Sequence, residues 1–194
     1  MSELVTAGHL GGYVPGGDPA TFYPKLWTWL VDEAGVRSVL DVGCGDGVAL
    51  DFFGTLGCDV LGIDGVEQGD DPIFVTHDYT LGSFEPRTED GRRRRFDLAW
   101  SCEFVEHVEE RYVSNFLATF RTADLLLLTH AAPGQAGWHH VNCRPADYWI
   151  GLVAGVGFAL DEQLTATTRE LASDNADAWN HYARSGMAFR RSAA

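Results

Sequence analysis

Apolar residues in this chain fall into short runs closed by an acid, separated by polar turns and by amphipathic stretches. Ser38-Val39-Leu40-Asp41-Val42 is the first run, and Gly43-Cys44-Gly45-Asp46-Gly47 follows at once. Asp59-Val60-Leu61-Gly62-Ile63-Asp64-Gly65, Ile73-Phe74-Val75-Thr76-His77-Asp78-Tyr79 and Phe96-Asp97-Leu98-Ala99-Trp100-Ser101-Cys102 repeat the plan. Leu125-Leu126-Leu127-Leu128-Thr129 is apolar throughout, as a strand buried on both faces must be. Runs of this length between turn signals predict strands. Helical spacing fills the gaps. Over Thr21–Ala34, Phe22, Leu26, Trp27, Leu30 and Val31 recur on one face. Ala49–Leu56, Glu103–Phe120 and Ala146–Val156 also read as helices, the last stopped by Gly157. A strand is expected from Phe158 and a final one over Ser185–Arg190. Gly8–Pro19, rich in Gly and Pro, reads as loop. Asp174–Ala183 is too polar to place.

The glycine-rich stretch after the first strand carries the most chemistry. Glycine tolerates positive φ and lets a ligand approach the backbone with no Cβ in the way. A helix that starts there presents free N–H groups to the ligand. The spacing restricts the ligand. A dinucleotide loop needs G-x-G-x-x-G around a pyrophosphate, but its third glycine position holds Val48. A phosphate-binding P-loop needs Gly-Lys, and no Lys follows Gly47. What stands here is acid-x-Gly-x-Gly-x-Gly. Asp41 and Asp46 suit an ammonium or sulfonium better than phosphates. Asp64 lies one strand-loop-helix-strand unit beyond Asp41, where a carboxylate can accept both hydroxyls of a ribose.

Taken in order, these strand ends resemble motifs of the class I S-adenosylmethionine-dependent methyltransferases. Glu103-Phe104-Val105-Glu106-His107-Val108 is similar to the Glu-His helix start common in small members. The resemblance covers about residues 36 to 160. It implies an α/β fold, a doubly wound, Rossmann-like, mostly parallel seven-stranded sheet with helices on both faces. One domain over 1–194 is expected: an N-terminal loop and lid helix to 35, a cofactor-binding core over 36–160, and C-terminal strands over 161–194. It also implies S-adenosyl-L-methionine as cofactor. The contacts it assigns are Asp41, Gly43, Cys44, Gly45, Gly47, Asp64 on the ribose, Gly65, Asp78 near the adenine amino group, Tyr79, Ser101 and Cys102.

Composition narrows the acceptor. The net charge of −14 repels phosphate backbones, which are bound through Lys and Arg. Arg92-Arg93-Arg94-Arg95 is one basic run, inside a polar turn-rich stretch, and reads as a solvated loop with no aromatic residue for base stacking. A small-molecule acceptor is therefore expected rather than a nucleic acid. No stretch approaches the ~20 apolar residues of a membrane span. The first residues do not read as a basic, apolar leader, so secretion is not expected. The cysteines Cys44, Cys58, Cys102 and Cys143 are scattered, which suits free thiols in a reducing cytoplasm. Cys44 is read as a small residue fitting a tight loop rather than a nucleophile.

Acceptor chemistry belongs at the carboxyl ends of the fourth and fifth strands. Glu103, Glu106 and His107, if helical, share one face there. Trp138-His139-His140-Val141-Asn142 follows the fifth strand. A hydroxyl acceptor must lose a proton, and His is suited to take it. His140 and His139 are the leading base candidates, with Glu103 and His107 beside them. Their alternative role is to hydrogen-bond the loop and close the site. A sharper alternative joins Glu103, Glu106, His107 and His140 into a mixed oxygen and nitrogen metal site, as the resemblance to small-RNA 2′-O-methyltransferases and some quinone-pathway O-methyltransferases would have it. A catalytically silent, cofactor-binding partner subunit is the remaining reading.

Overall fold

The computed structural model describes residues 7–10, 16–177 and 179–192. Seven strands form one sheet: β1 (Ser38–Val42), β2 (Asp59–Asp64), β3 (Phe74–Thr76), β4 (Phe96–Ser101), β5 (Ala123–Leu128), β6 (Phe158–Leu160) and β7 (Met187–Arg191). Their order is β3-β2-β1-β4-β5-β7-β6. The first five pair in parallel, and β7 runs antiparallel to β5 and β6. The chain builds outward from β1 to β3, then returns to lay β4 against β1. That reversal leaves a crevice beyond the carboxyl ends of β1 and β4, where open α/β sheets take ligands.

Alternation along the strands divides the core in two. Leu40, Val42, Ala99, Leu126 and Leu128 face α3 (Val113–Phe120) and α4 (Ala146–Gly155). Val39, Leu98, Trp100, Leu125 and Leu127 face α1 (Pro24–Asp32), α2 (Val48–Thr55), α5 (Glu162–Ala172) and α6 (His181–Ser185). In α3 the buried Val113, Phe116, Leu117 and Phe120 recur at i, i+3, i+4 and i+7, the spacing of one helical face. The N-terminal helix, α1, is shorter than its apolar spacing suggests. Leu26, Leu30 and Val31 are built into the core, and Trp27 reaches the crevice. The loop expected over Gly8–Pro19 carries a 3-10 turn at Gly8–Leu10, and its residues 11–15 lie outside those described.

Two expectations are corrected. The segment after residue 160 is not a pair of strands: α5 precedes β7. Asp161 caps α5 by accepting the Leu164 amide at 2.8 Å, a favoured start signal. Only Leu164, Thr168 and Ala172 are buried on it, and its threonines are weak helix formers, so the segment lacks an apolar stripe. Thr168 takes part in the helix by returning its hydroxyl to the Leu164 carbonyl at 2.8 Å. Nor is Glu103–Phe120 one helix. Glu103 sits at φ +54, 3-10 turns cover Val105–His107 and Glu110–Tyr112, and only α3 is regular. The Glu106 carbonyl that would close the next α-turn instead accepts the Val141 and Asn142 amides at 3.1 and 3.0 Å.

The basic run is fully occupied with neighbours. Arg92 pairs with Asp90 at 2.7 Å, Arg93 with Glu85 at 2.5 Å, Arg94 with Asp59 at 2.7 Å, and Arg95 with Asp124. Among the described residues no helix is long and apolar enough to cross a membrane.

Candidate active site

One cleft runs along the carboxyl ends of β1, β2 and β4. The glycine loop forms its floor. Gly43 has φ +80, and a Cβ there would stand 2.5 Å from Phe104 Cδ2, so the loop after β1 and the loop after β4 touch only because residue 43 has no side chain. Gly45 lines the cleft at φ +50. Its amide donates to Asp64 Oδ2 at 2.9 Å, and the Val66 amide donates to Oδ1 at 2.8 Å. Asp64 is thereby aimed into the cleft by backbone on both sides, with lone pairs left for a ligand. Burial pushes its carboxyl up from the ordinary range. Asp41 is buried on the same floor, and burial, then the Asp64 charge, holds its carboxyl well above the usual value. Burial is the leading cause of both shifts, and the Asp64 charge adds to that of Asp41.

The other assigned contacts divide. Cys44, Gly65, Asp78, Tyr79 and Cys102 line the cleft. Burial pushes the Cys44 and Cys102 thiols up, which keeps them protonated and unreactive. Tyr79 is largely core: its hydroxyl donates to Thr119 Oγ1 at 3.1 Å. Asp78 caps a 3-10 turn through the Thr80 amide and also meets His9 Nε2 at 2.7 Å. Gly47 and Ser101 do not line the cleft. Gly47, at φ +79, starts α2 with Phe74 packed against it, and the Ser101 hydroxyl donates to the Val42 carbonyl at 2.9 Å, locking β4 to β1.

The acceptor-side candidates are not on one helical face. Glu103, Phe104, His107, Val108, Glu109 and Tyr112 line the cleft, and Glu106, His139 and His140 do not. His140 stands behind His107, ring centroids 5.0 Å apart, with its Nδ1 toward the Gln135 carbonyl at 3.2 Å. His139 lies in a left-handed turn at φ +47. Burial, then the nearby His140, lowers the His107 pKa to about 4, so its imidazole is neutral at physiological pH. His107 Nδ1 is buried and has no hydrogen-bond partner. Glu106 is fully buried with neither oxygen paired, and burial followed by the Glu103 charge holds its carboxyl well above the usual range. Glu103 behaves oppositely. Burial pushes it up, but the His181 hydrogen bond and charge, with a Thr129 hydroxyl, outweigh burial and hold it below the usual range.

The mixed metal set is not assembled in this arrangement. The Glu103 oxygens are taken by Thr129 and His181, at 2.9 Å each. Among the described residues no three His, Cys, Asp or Glu side chains are set to hold a metal ion. Two cleft contacts had no sequence signal beyond a lone histidine: His9 on Asp78, and His181 on Glu103.

Comparison with known proteins gives the family. A family model described as a methyltransferase domain matches residues 18–163. A ubiquinone biosynthesis O-methyltransferase from Ruegeria sp. (strain TM1040) is 35% identical over 85 residues, 40% of this chain and 33% of that protein. The chain spans between 24% and 33% of the curated relatives it matches. Magnesium protoporphyrin IX methyltransferase from Synechocystis PCC 6803, solved with bound SAM, superposes with a TM-score of 0.56 at 18% identity, over 86% of this chain and 76% of that one. A TehB-like SAM-dependent methyltransferase from Corynebacterium glutamicum gives 0.57 at 18% identity, over 91% and 90%. With the model matched across both walls of the cleft, the chain belongs to the methyltransferase domain family.

Proposed function

We propose that this chain transfers a methyl group from S-adenosylmethionine to a hydroxyl of a small-molecule acceptor. The observation that carries the reading is the floor of the cleft. Asp41, buried, and Asp64, half-buried, line the cleft beside the glycine loop, and burial raises both carboxyls. A nucleoside with a ribose diol and a cationic amino-acid end fits that donor set. Asp64, Gly43, Gly45 and Asp41 would hold it, with Asp78 toward the base. The group supplies an electrophilic methyl on a sulfonium.

The β4 wall would do the rest. His107, neutral and lining the cleft, can take the acceptor's proton. His140 and His139 stand behind it and set its environment. Phe104 and Tyr112 line the cleft and would pack against an aromatic acceptor. The relatives named as O-methyltransferases support oxygen as the acceptor atom. The occupied arginine run supports a small molecule over a nucleic acid, and four free thiols support a cytoplasmic location.

Calorimetry with S-adenosylhomocysteine, and mass spectrometry of phenols and catechols incubated with S-adenosylmethionine, test the reading together. Micromolar binding and a product heavier by one methylene are expected. Binding of a nicotinamide dinucleotide equal to that of S-adenosylhomocysteine would overturn it.

A further inference from the structure

His181 opens α6 and does not line the cleft, yet two of the cleft's acids reach its ring. Its Nδ1 lies 2.9 Å from Glu103 Oε2, and its Nε2 lies 3.5 Å from Asp18 Oδ2. Glu103 belongs to the loop after β4, and Asp18 to the N-terminal segment before α1; both line the cleft. Each acid has a second tether. Thr129 Oγ1 donates to Glu103 Oε1 at 2.9 Å, and the Ala20 amide donates to Asp18 Oδ1 at 2.9 Å. Glu103 sits at φ +54, a backbone region that a non-glycine residue enters at a cost, and its amide donates to Thr129 Oγ1 at 2.7 Å.

The imidazole is mounted on a rigid support. The Asn180 side chain caps α6 through the Ala183 amide at 3.1 Å. The Tyr182 ring stacks on Trp100 at 5.1 Å, and its amide donates to the Tyr23 hydroxyl at 2.9 Å. An imidazole between two carboxylates donates from both nitrogens when protonated. It can therefore fix two acids relative to each other without entering the site they face.

We propose that His181 is a positioning residue: from outside the cleft it pre-sets the Glu103 and Asp18 carboxylates to face a positively charged group of the ligand. Fixed carboxylates stabilise a cation without the cost of reorganising around it. The identity of that cation, the sulfonium end of the co-substrate, rests on the methyltransferase reading. The contact itself does not.

Calorimetry on the full chain uses two nucleosides. S-adenosylhomocysteine has a neutral thioether, and sinefungin carries an ammonium in the corresponding place. The wild type should prefer sinefungin. His181→Ala should cut that preference about tenfold while binding S-adenosylhomocysteine within about threefold of wild type. Glu103→Gln should cut it by a similar factor, and the double variant should lose no more than either single one. His181→Gln, which keeps a donor within reach, should recover part of the preference. An undiminished preference in His181→Ala, or full additivity in the double variant, overturns the proposal. Imidazole NMR provides a second arm that needs no His181 variant. In Glu103→Gln the His181 signals should titrate at lower pH than in the wild type, and an unchanged titration overturns the contact. If neither nucleoside binds the wild type, the methyltransferase reading and the proposed ligand fall together, and the NMR arm separates that result from a failed contact.

Discussion

The wall of the cleft that follows β1 is made of backbone, whereas the wall that follows β4 is made of side chains held by distant partners. Gly43 and Gly45 place open backbone at the ligand, and Asp64 is aimed by two amides, those of Gly45 and Val66. Glu103, by contrast, is held by Thr129 and His181, and His107 is backed by His140. A backbone wall needs a few residues close in sequence and accepts few substitutions. A side-chain wall needs contacts from four parts of the chain and can be retuned one residue at a time. The two walls should therefore fail differently.

The largest effect is expected on the backbone wall. Gly45→Val puts a branched side chain at φ +50 and into the cleft, so S-adenosylhomocysteine binding should be lost by calorimetry while circular dichroism stays native. Retained affinity would show that the floor does not approach the ligand. On the opposite wall, His107→Ala should lower turnover about 10²-fold and leave S-adenosylhomocysteine affinity within about twofold. Protonation of His107 removes the base, so wild-type kcat should hold steady through neutral pH and fall only as pH drops toward about 4. A matching loss of binding in His107→Ala would merge the two walls into one. Asp64→Ala removes a charged acceptor worth about 1.5–3 kcal/mol, so affinity should fall about tenfold or more with the fold intact. Unchanged affinity would remove Asp64 from the ligand. The smallest effect belongs to a residue on neither wall. Arg93→Ala breaks an exposed ion pair with Glu85 and should change stability by no more than about 0.5 kcal/mol in urea titration, with ligand affinity unaltered. A larger change would give the basic run a role that its pairing does not indicate.

The same division explains what was legible in the sequence. The backbone wall was readable because strand, glycines and acid are contiguous, and each glycine excludes a rival ligand by its spacing. Even there, Gly47 has Phe74 packed against it and does not line the cleft. The side-chain wall was readable only in part: Glu103 and His107 stood out and line the cleft, but what holds them did not. Glu103–Phe120 has helical apolar spacing, and nothing local shows that Asn142 and Val141 will take the Glu106 carbonyl. His139 and His140 stand out as a pair, but the ring facing the cleft is His107. His181 and Asp18 lie far from Glu103 along the chain, in segments too polar or too rich in Gly and Pro for periodicity to place. The missed helix α5 carried one usable signal, Asp161 as a cap, and lacked the apolar stripe that gives such a cap weight.

Asp18, Asp41, Asp64, Asp78 and Glu103 line the cleft, and among the described residues no lysine or arginine lines it. In rate terms this favours entry over exit. A chain of net charge −14 with such a mouth should draw a sulfonium nucleoside in faster than diffusion alone would deliver it. The thioether left after transfer has lost that charge, and the field gives it no comparable hold. Raising ionic strength should therefore slow capture of the reactant while barely touching release of the product, and product inhibition should be weakest at low salt.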